Sequence, residues 1–151
     1  MTSAPTILLV DEEPILRSAT ALLLTNRGGR VSPAATLAEA IVLASERSFD
    51  VAILDVSPEG PSAAVMVGLL RLRGLLPQRF VVCVPAGPQE EADFTVTLRK
   101  PYRFERLLEA VFGPERARRQ SRSGVFVRAR SGDGALLRLT RRGMPARRDR
   151  G

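Results

Sequence analysis

The chain contains no histidine and only one cysteine, and each shortage excludes a class of chemistry. Without histidine the commonest general base and metal ligand is missing, so a Ser-His or Cys-His nucleophile system cannot be assembled from this chain. One thiol cannot form an intrachain disulfide. Cys83 stands in the apolar run Phe80-Val81-Val82-Cys83-Val84, where a buried core thiol is expected. Long apolar runs are also lacking. The first stops at Asp11 after residues 7–10, far short of a signal-peptide core or of the ~20 residues a membrane-spanning helix needs. A soluble, cytoplasmic protein with no membrane span is the expectation. Lysine is almost absent as well: Lys100 is the only one among 23 basic residues, the rest being arginine. A compact ammonium in so arginine-rich a chain points to a geometric requirement at that position.

What is present is enough for one ordinary domain. With 151 residues the chain can bury a core that folds without staples, and part of its length is left over. Charge divides the two portions. Residues 1–115 carry 11 basic and 14 acidic residues, a net −3, and residues 116–151 carry 12 Arg and 2 Asp, a net +10, which together make the +7 of the whole. The expected organisation is a domain over 1–115 followed by a separate arginine-rich tail over 116–151.

Strand and helix signals alternate from residue 6 to about residue 113, the pattern of βα units around a parallel sheet. Candidate strands are 7–10, 30–34, 51–54, 80–84 and 94–98. The first, third and fourth are nearly continuous apolar runs, as strands covered on both faces should be. Pro33 cannot donate to a ladder on its own position, so the second strand belongs at a sheet edge. A first helix should start at Pro14 and end at Gly28-Gly29, with Ile15, Leu16, Ala19, Leu22 and Leu23 forming the face that packs on the sheet. Thr36-Leu37-Ala38-Glu39 reads as a capping box for a second helix. Residues 62–73, closed by Gly74, and 104–112, closed by Gly113-Pro114, make two more.

Strands that run parallel end on one edge, so the acids of Val10-Asp11-Glu12-Glu13, the acid of Leu54-Asp55 and the amine of Arg99-Lys100-Pro101 should gather in one crevice there. Mg²⁺ takes hard oxygen ligands and keeps several waters, so Asp11, Glu12 and Asp55 with a backbone carbonyl would suffice to hold it. A carboxylate can also act as the nucleophile in phosphoryl transfer when cations neutralise the incoming oxygens. The competing explanation for these acids is helix capping or solvation in loops.

The ordered set Asp11-Glu12, Asp55 and Lys100-Pro101, on this βα pattern, resembles a two-component response regulator receiver domain of the CheY-like kind. The resemblance covers residues 5–113 and implies a flavodoxin-like fold with a five-stranded parallel sheet of order 2-1-3-4-5. It implies that Asp55 accepts a phosphoryl group from a histidine kinase or phosphotransfer protein, a signalling role rather than metabolic catalysis. Glu12, Asp55 and the Ser57 carbonyl would ligate Mg²⁺, Asp11 would assist through water, and Lys100, before a cis-proline at Pro101, would counter the phosphoryl charge. Output would pass to a downstream protein target.

The chain departs from the family at the switch. Receivers place Thr or Ser at the end of the fourth strand, whereas Val84-Pro85-Ala86-Gly87 offers no hydroxyl whether Pro85 or Ala86 holds that position. The switch aromatic three residues before the lysine is Thr97. Lys100 comes only 15 positions after Pro85, so the helix between the fourth and fifth strands must be short or lost. These departures support a second reading, a phosphorylation-independent pseudo-receiver that acts as an interaction module. In the tail, two β-prone runs around Val125-Phe126-Val127 and Leu136-Leu137-Arg138-Leu139 flank Ser131-Gly132-Asp133-Gly134. They would make a marginal hairpin, or the tail is disordered. Its twelve arginines suit nucleic acid phosphates, although Phe126 is its one aromatic and a solvated basic tail explains the composition equally well.

Overall fold

The computed structural model describes residues 3–87 and 96–113, and the backbone of residues 125–126 and 140–141. Five strands, β1 (Thr6–Val10), β2 (Arg30–Ala34), β3 (Val51–Asp55), β4 (Arg79–Val84) and β5 (Val96–Arg99), form one sheet of order β2-β1-β3-β4-β5. Every pairing in it is parallel. The helices are α1 (Pro14–Asn26), α2 (Leu37–Glu46), α3 (Ala63–Leu72) and α4 (Phe104–Phe112). The second strand sits at an edge, as its proline requires.

Alternation along the strands divides the core between two faces. Leu8, Val10, Ala52, Leu54, Phe80 and Val82 face the layer made by α2 and α3, which contributes Ala40, Met66, Val67 and Leu70. Ile7, Leu9, Ile53, Val81, Cys83 and Leu98 face the layer of α1 and α4, where Leu24, Phe104, Leu107 and Leu108 meet them. The result is a three-layer α/β sandwich of the flavodoxin-like kind, with Cys83 buried as its run suggested.

Local signals account for the helix starts. The Glu13 carboxylate accepts from the Leu16 amide, and Pro14 occupies the first turn where no amide partner is needed. At α2 the Thr36 hydroxyl accepts from the Glu39 amide, while the Glu39 carboxylate accepts from Ala35, one residue earlier than a standard capping box would place it. Gly74 and Gly113, at φ +87° and +86°, follow the ends of α3 and α4.

Two expectations change. Ile15 and Leu22 of α1 are largely exposed and Leu24 is the buried residue of that helix. At about 100° per residue, positions 15 and 22 lie roughly opposite Leu24, so these two point outward, while Leu23 of the expected face does pack on the core. The helix carries more apolar residues than one face can bury. The fifth strand begins at Val96 and extends to Arg99, residues 94–95 of the expected strand lying outside the described residues. Eleven residues, 85–95, link β4 to β5, fewer than the dozen or more a parallel crossover with a full helix needs. The expected remnant of a helix at 88–93 lies outside the described residues.

Gly29, where α1 turns into β2, is held by packing. A Cβ there would lie 2.6 Å from Ile7 Cδ1 and 3.1 Å from the Leu24 carbonyl oxygen. Ile7 is itself fully buried, so Gly29→Ala is expected to cost about 1–3 kcal/mol, measured by urea denaturation. Beyond the sheet, Val125–Phe126 pairs antiparallel with Thr140–Arg141. The other tail residues, on which the disorder and nucleic-acid readings rest, lie outside the described residues.

Candidate functional site

Parallel strands bring their carboxyl ends to one edge, and β1 and β3 are neighbours in register there, Val10 beside Leu54. Asp11 and Asp55 therefore leave adjacent strand tips at the place where the chain order of the sheet reverses, the usual ligand crevice of such sheets. Lys100 follows β5 and its amide donates to the Val84 carbonyl at 2.9 Å, which continues the ladder one residue further. The Lys100–Pro101 peptide is cis.

The three side chains converge. Lys100 Nζ lies 2.7 Å from Asp55 Oδ1 and donates to the Val56 carbonyl at 3.1 Å. Asp11 is the one buried charged residue among those described, 7% exposed, and its Oδ1 accepts from the Glu13 amide at 2.9 Å. Burial, and next the charge of Asp55, push the Asp11 carboxyl up to about 6. Burial also raises Asp55, although the Lys100 ammonium pulls the other way and the charge of Glu12 adds to the rise. Asp11, raised by burial and by the Asp55 charge, marks a partly dry crevice whose negative charge Lys100 offsets only in part, and a further cation would relieve it.

Glu12 is exposed, and its charge is felt at Asp55. The Ser57 carbonyl accepts the Gly60 amide at 3.2 Å in a turn, which leaves its second lone pair. Among the described residues, no group of three His, Cys, Asp or Glu side chains is disposed to hold a metal ion. Mg²⁺ does not require such a cage, because one or two carboxylates and several waters satisfy it. The Asp11–Asp55 pair has the donor chemistry for such an ion.

Sequence reasoning overlooked Arg17. Its Nη1 donates to the Asp11 carbonyl at 2.8 Å and approaches the Glu12 carbonyl at 3.5 Å, from the first turns of α1. No signal in the sequence marked it, since both its partners are backbone carbonyls. Tyr102 was also missed as a site neighbour: its hydroxyl bonds the Cys83 thiol, and burial pushes that thiol up to about 12.

Solved structures share this arrangement of elements. The receiver domain of the hybrid histidine kinase CckA is 28% identical over 74% of this chain and 98% of its own, with a TM-score of 0.58. This is the receiver-domain fold. A response regulator receiver domain from Clostridium thermocellum matches at 20% identity over 78% of this chain and 97% of its own, TM-score 0.62. A response regulator from Burkholderia pseudomallei, solved with a phosphorylated aspartic acid, calcium ion and citrate, matches at 21% identity over 78% of this chain and 72% of its own, TM-score 0.59. No family model and no curated protein matches the sequence.

The positions expected from the sequence to depart from the receiver pattern lie along β4 and β5. Pro85, Ala86 and Gly87 leave the tip of β4, and Arg99 Nη1 donates to the Gly87 carbonyl at 2.7 Å, tying that loop to β5. Thr97 is exposed on β5. Among the described residues, no helix is long and apolar enough to cross a membrane.

Proposed function

We propose that this chain is an atypical response regulator receiver in a phosphorelay, with Asp55 as the phosphoacceptor. The carrying observation is the 2.7 Å contact of Lys100 with Asp55 beside the buried Asp11 carboxylate, at the chain-order reversal of the sheet. An Asp55 oxygen attacks the phosphorus of a phosphohistidine on a histidine kinase or phosphotransfer protein. An O–P bond forms, the N–P bond breaks, and the imidazole leaves with its electron pair. Asp11, Glu12, Asp55 and the Ser57 carbonyl would hold Mg²⁺, which when bound supplies positive charge against the phosphoryl oxygens. Lys100 shifts its ammonium from the Asp55 carboxylate to a phosphoryl oxygen, conserving one charge-assisted contact. Arg17 fixes the loop that carries Asp11 and Glu12 through their carbonyls.

Incubation with acetyl phosphate and Mg²⁺ tests this. A phosphoryl mass increment that hydroxylamine removes, and that Asp55→Asn abolishes, is the expected outcome; an increment that persists in the variant defeats the assignment.

The hydroxyl-free stretch Val84-Pro85-Ala86-Gly87 favours a second reading, a pseudo-receiver that binds its protein partner without phosphorylation. Lacking that hydroxyl, a phosphoryl oxygen forgoes a hydrogen bond to a charged group, about 1.5–3 kcal/mol, and the β4 loop has no lever drawing it inward. Amide spectra with beryllofluoride and Mg²⁺ separate the two readings, since shifts around Asp55 support the phosphoacceptor.

A further inference from the structure

Helix α3 is apolar almost all the way round. Its ten residues, AAVMVGLLRL, include one polar side chain, Arg71, and helices of that composition are normally covered on every side. Among the described residues only one side is covered. Ala63, Met66, Val67 and Leu70 are buried against the sheet, while Val65, Leu69 and Leu72 are exposed, Leu72 by 83%. Positions 65, 69 and 72 follow the i, i+4, i+7 rule and form one stripe. Ala64 and Gly68 lie one turn apart beside it, and a Cβ built on Gly68 meets nothing within 4 Å. The surface thus has apolar knobs next to a shallow notch. Arg71 does not interrupt it, because its guanidinium is drawn over the Phe80 ring at 5.4 Å.

Knobs and notch on the same helix are complementary to each other, the property an isologous interface requires of its patch. Charge sets the direction. Glu59, exposed, precedes the amino end of α3, and Arg73, exposed, caps its carboxyl end. A parallel pair would bring the two arginine ends together. An antiparallel pair sets each Arg73 toward the acid-bearing end of the other helix and opposes the helix dipoles favourably.

We propose that α3 is a self-association face: two copies of this chain pack α3 antiparallel about a two-fold axis near Gly68, with each Leu72 seated over the partner copy's Ala64–Gly68 notch. A helix of about 15 Å covers a small patch, at the low end of specific interfaces, so the dimer is weak, with a dissociation constant on the order of micromolar.

Sedimentation of the full chain between about 5 and 500 µM should show a reversible monomer–dimer equilibrium. Leu72→Glu should weaken it by at least about 30-fold while leaving the melting temperature unchanged, since the side chain is exposed. Gly68→Leu should weaken it similarly and yet raise the monomer's melting temperature, because it meets no clash and improves helix propensity. Gly68→Cys should form a symmetric disulfide-linked dimer on mild oxidation, with buried Cys83 making no contribution. A chain that stays monomeric throughout overturns the proposal and leaves the stripe to a different partner. So does a dimer indifferent to both substitutions, or a Gly68→Cys protein that does not cross-link.

Discussion

Asp11→Asn is expected to stabilise the metal-free protein at pH 7, by up to about 3 kcal/mol, while leaving it unchanged near pH 4. The folded Asp11 carboxyl titrates at about 6 against an ordinary 3.8, because it is buried and faces Asp55. Folding therefore takes up a proton between those values. The contribution of Asp11 is fully favourable below pH 4 and is lost as pH rises toward 6. Beyond that the loss stays constant, each tenfold gain in the proton affinity of the folded state having cost about 1.4 kcal/mol. Asp55 is raised as well and adds in the same direction. Asparagine keeps the oxygen that accepts from the Glu13 amide and removes the charge. Urea denaturation in chelator between pH 4 and 8 reads the effect: wild-type stability should fall across pH 4–6 and the variant's should fall less. Millimolar Mg²⁺ should recover much of the loss in wild type only, by binding the folded state. Parallel curves for the two proteins would show that Asp11 carries no electrostatic strain.

The strands and the edge they share were legible because a parallel sheet imposes strong local rules. Residues 51–54 and 80–84 are apolar throughout, as two-sided burial demands, and Pro33 marked β2 as an edge. Once three such strands run the same way, Asp11, Asp55 and Lys100 must arrive together whatever the loops do, and the 2.7 Å contact follows from topology. The inward face of α1 was not legible, because apolar residues occupy both its sides and periodicity cannot rank them; only the docked geometry separates Leu24 from Leu22. Arg17 escaped for a related reason. Its partners are backbone carbonyls, and a sequence does not display which carbonyls a fold leaves open. The open stripe of α3 was likewise invisible, since a helix apolar all round looks buried until its neighbours are in place.

If the chain works as the proposed receiver, a crevice that keeps its acids and amine beside the hydroxyl-free Val84-Pro85-Ala86-Gly87 has a physical consequence. The acids and the amine need only the strand tips, whereas a relay needs a loop with two positions and a group that selects between them. In this chain Arg99 holds Gly87 from the β5 side, and neither Pro85 nor Ala86 can be drawn in by a hydrogen bond from its side chain. Any signal that leaves the site must travel through a different element. The segment closest in sequence to Asp55 is the turn at Ser57–Gly60, which leads into the Ser62 cap of α3.

Removing the Lys100 amine alone should harm both stability and phosphoryl acceptance, and removing its partner with it should restore the first but not the second. Lys100→Met leaves the partly buried Asp55 carboxylate without its cation, both side chains being under one-fifth exposed. Breaking one half of such a pair strands a charge, whereas removing both halves strands none. The expected cost of Lys100→Met is about 2 kcal/mol, with Lys100→Met/Asp55→Asn close to wild type and a coupling energy of about 1.5–3 kcal/mol in a double-mutant cycle. Additive losses would show that the contact contributes nothing. The kinetic signature has a definite sign. Lys100 holds the Asp55 carboxyl down against the burial that raises it, so without the ammonium a larger fraction of Asp55 is protonated at a given pH and cannot attack phosphorus. Phosphorylation of Lys100→Met by acetyl phosphate should therefore lose more toward acid pH than wild type does and recover as pH rises. A deficit of equal size at every pH would assign Lys100 to the incoming phosphoryl oxygens alone, with no part in keeping the nucleophile ionised.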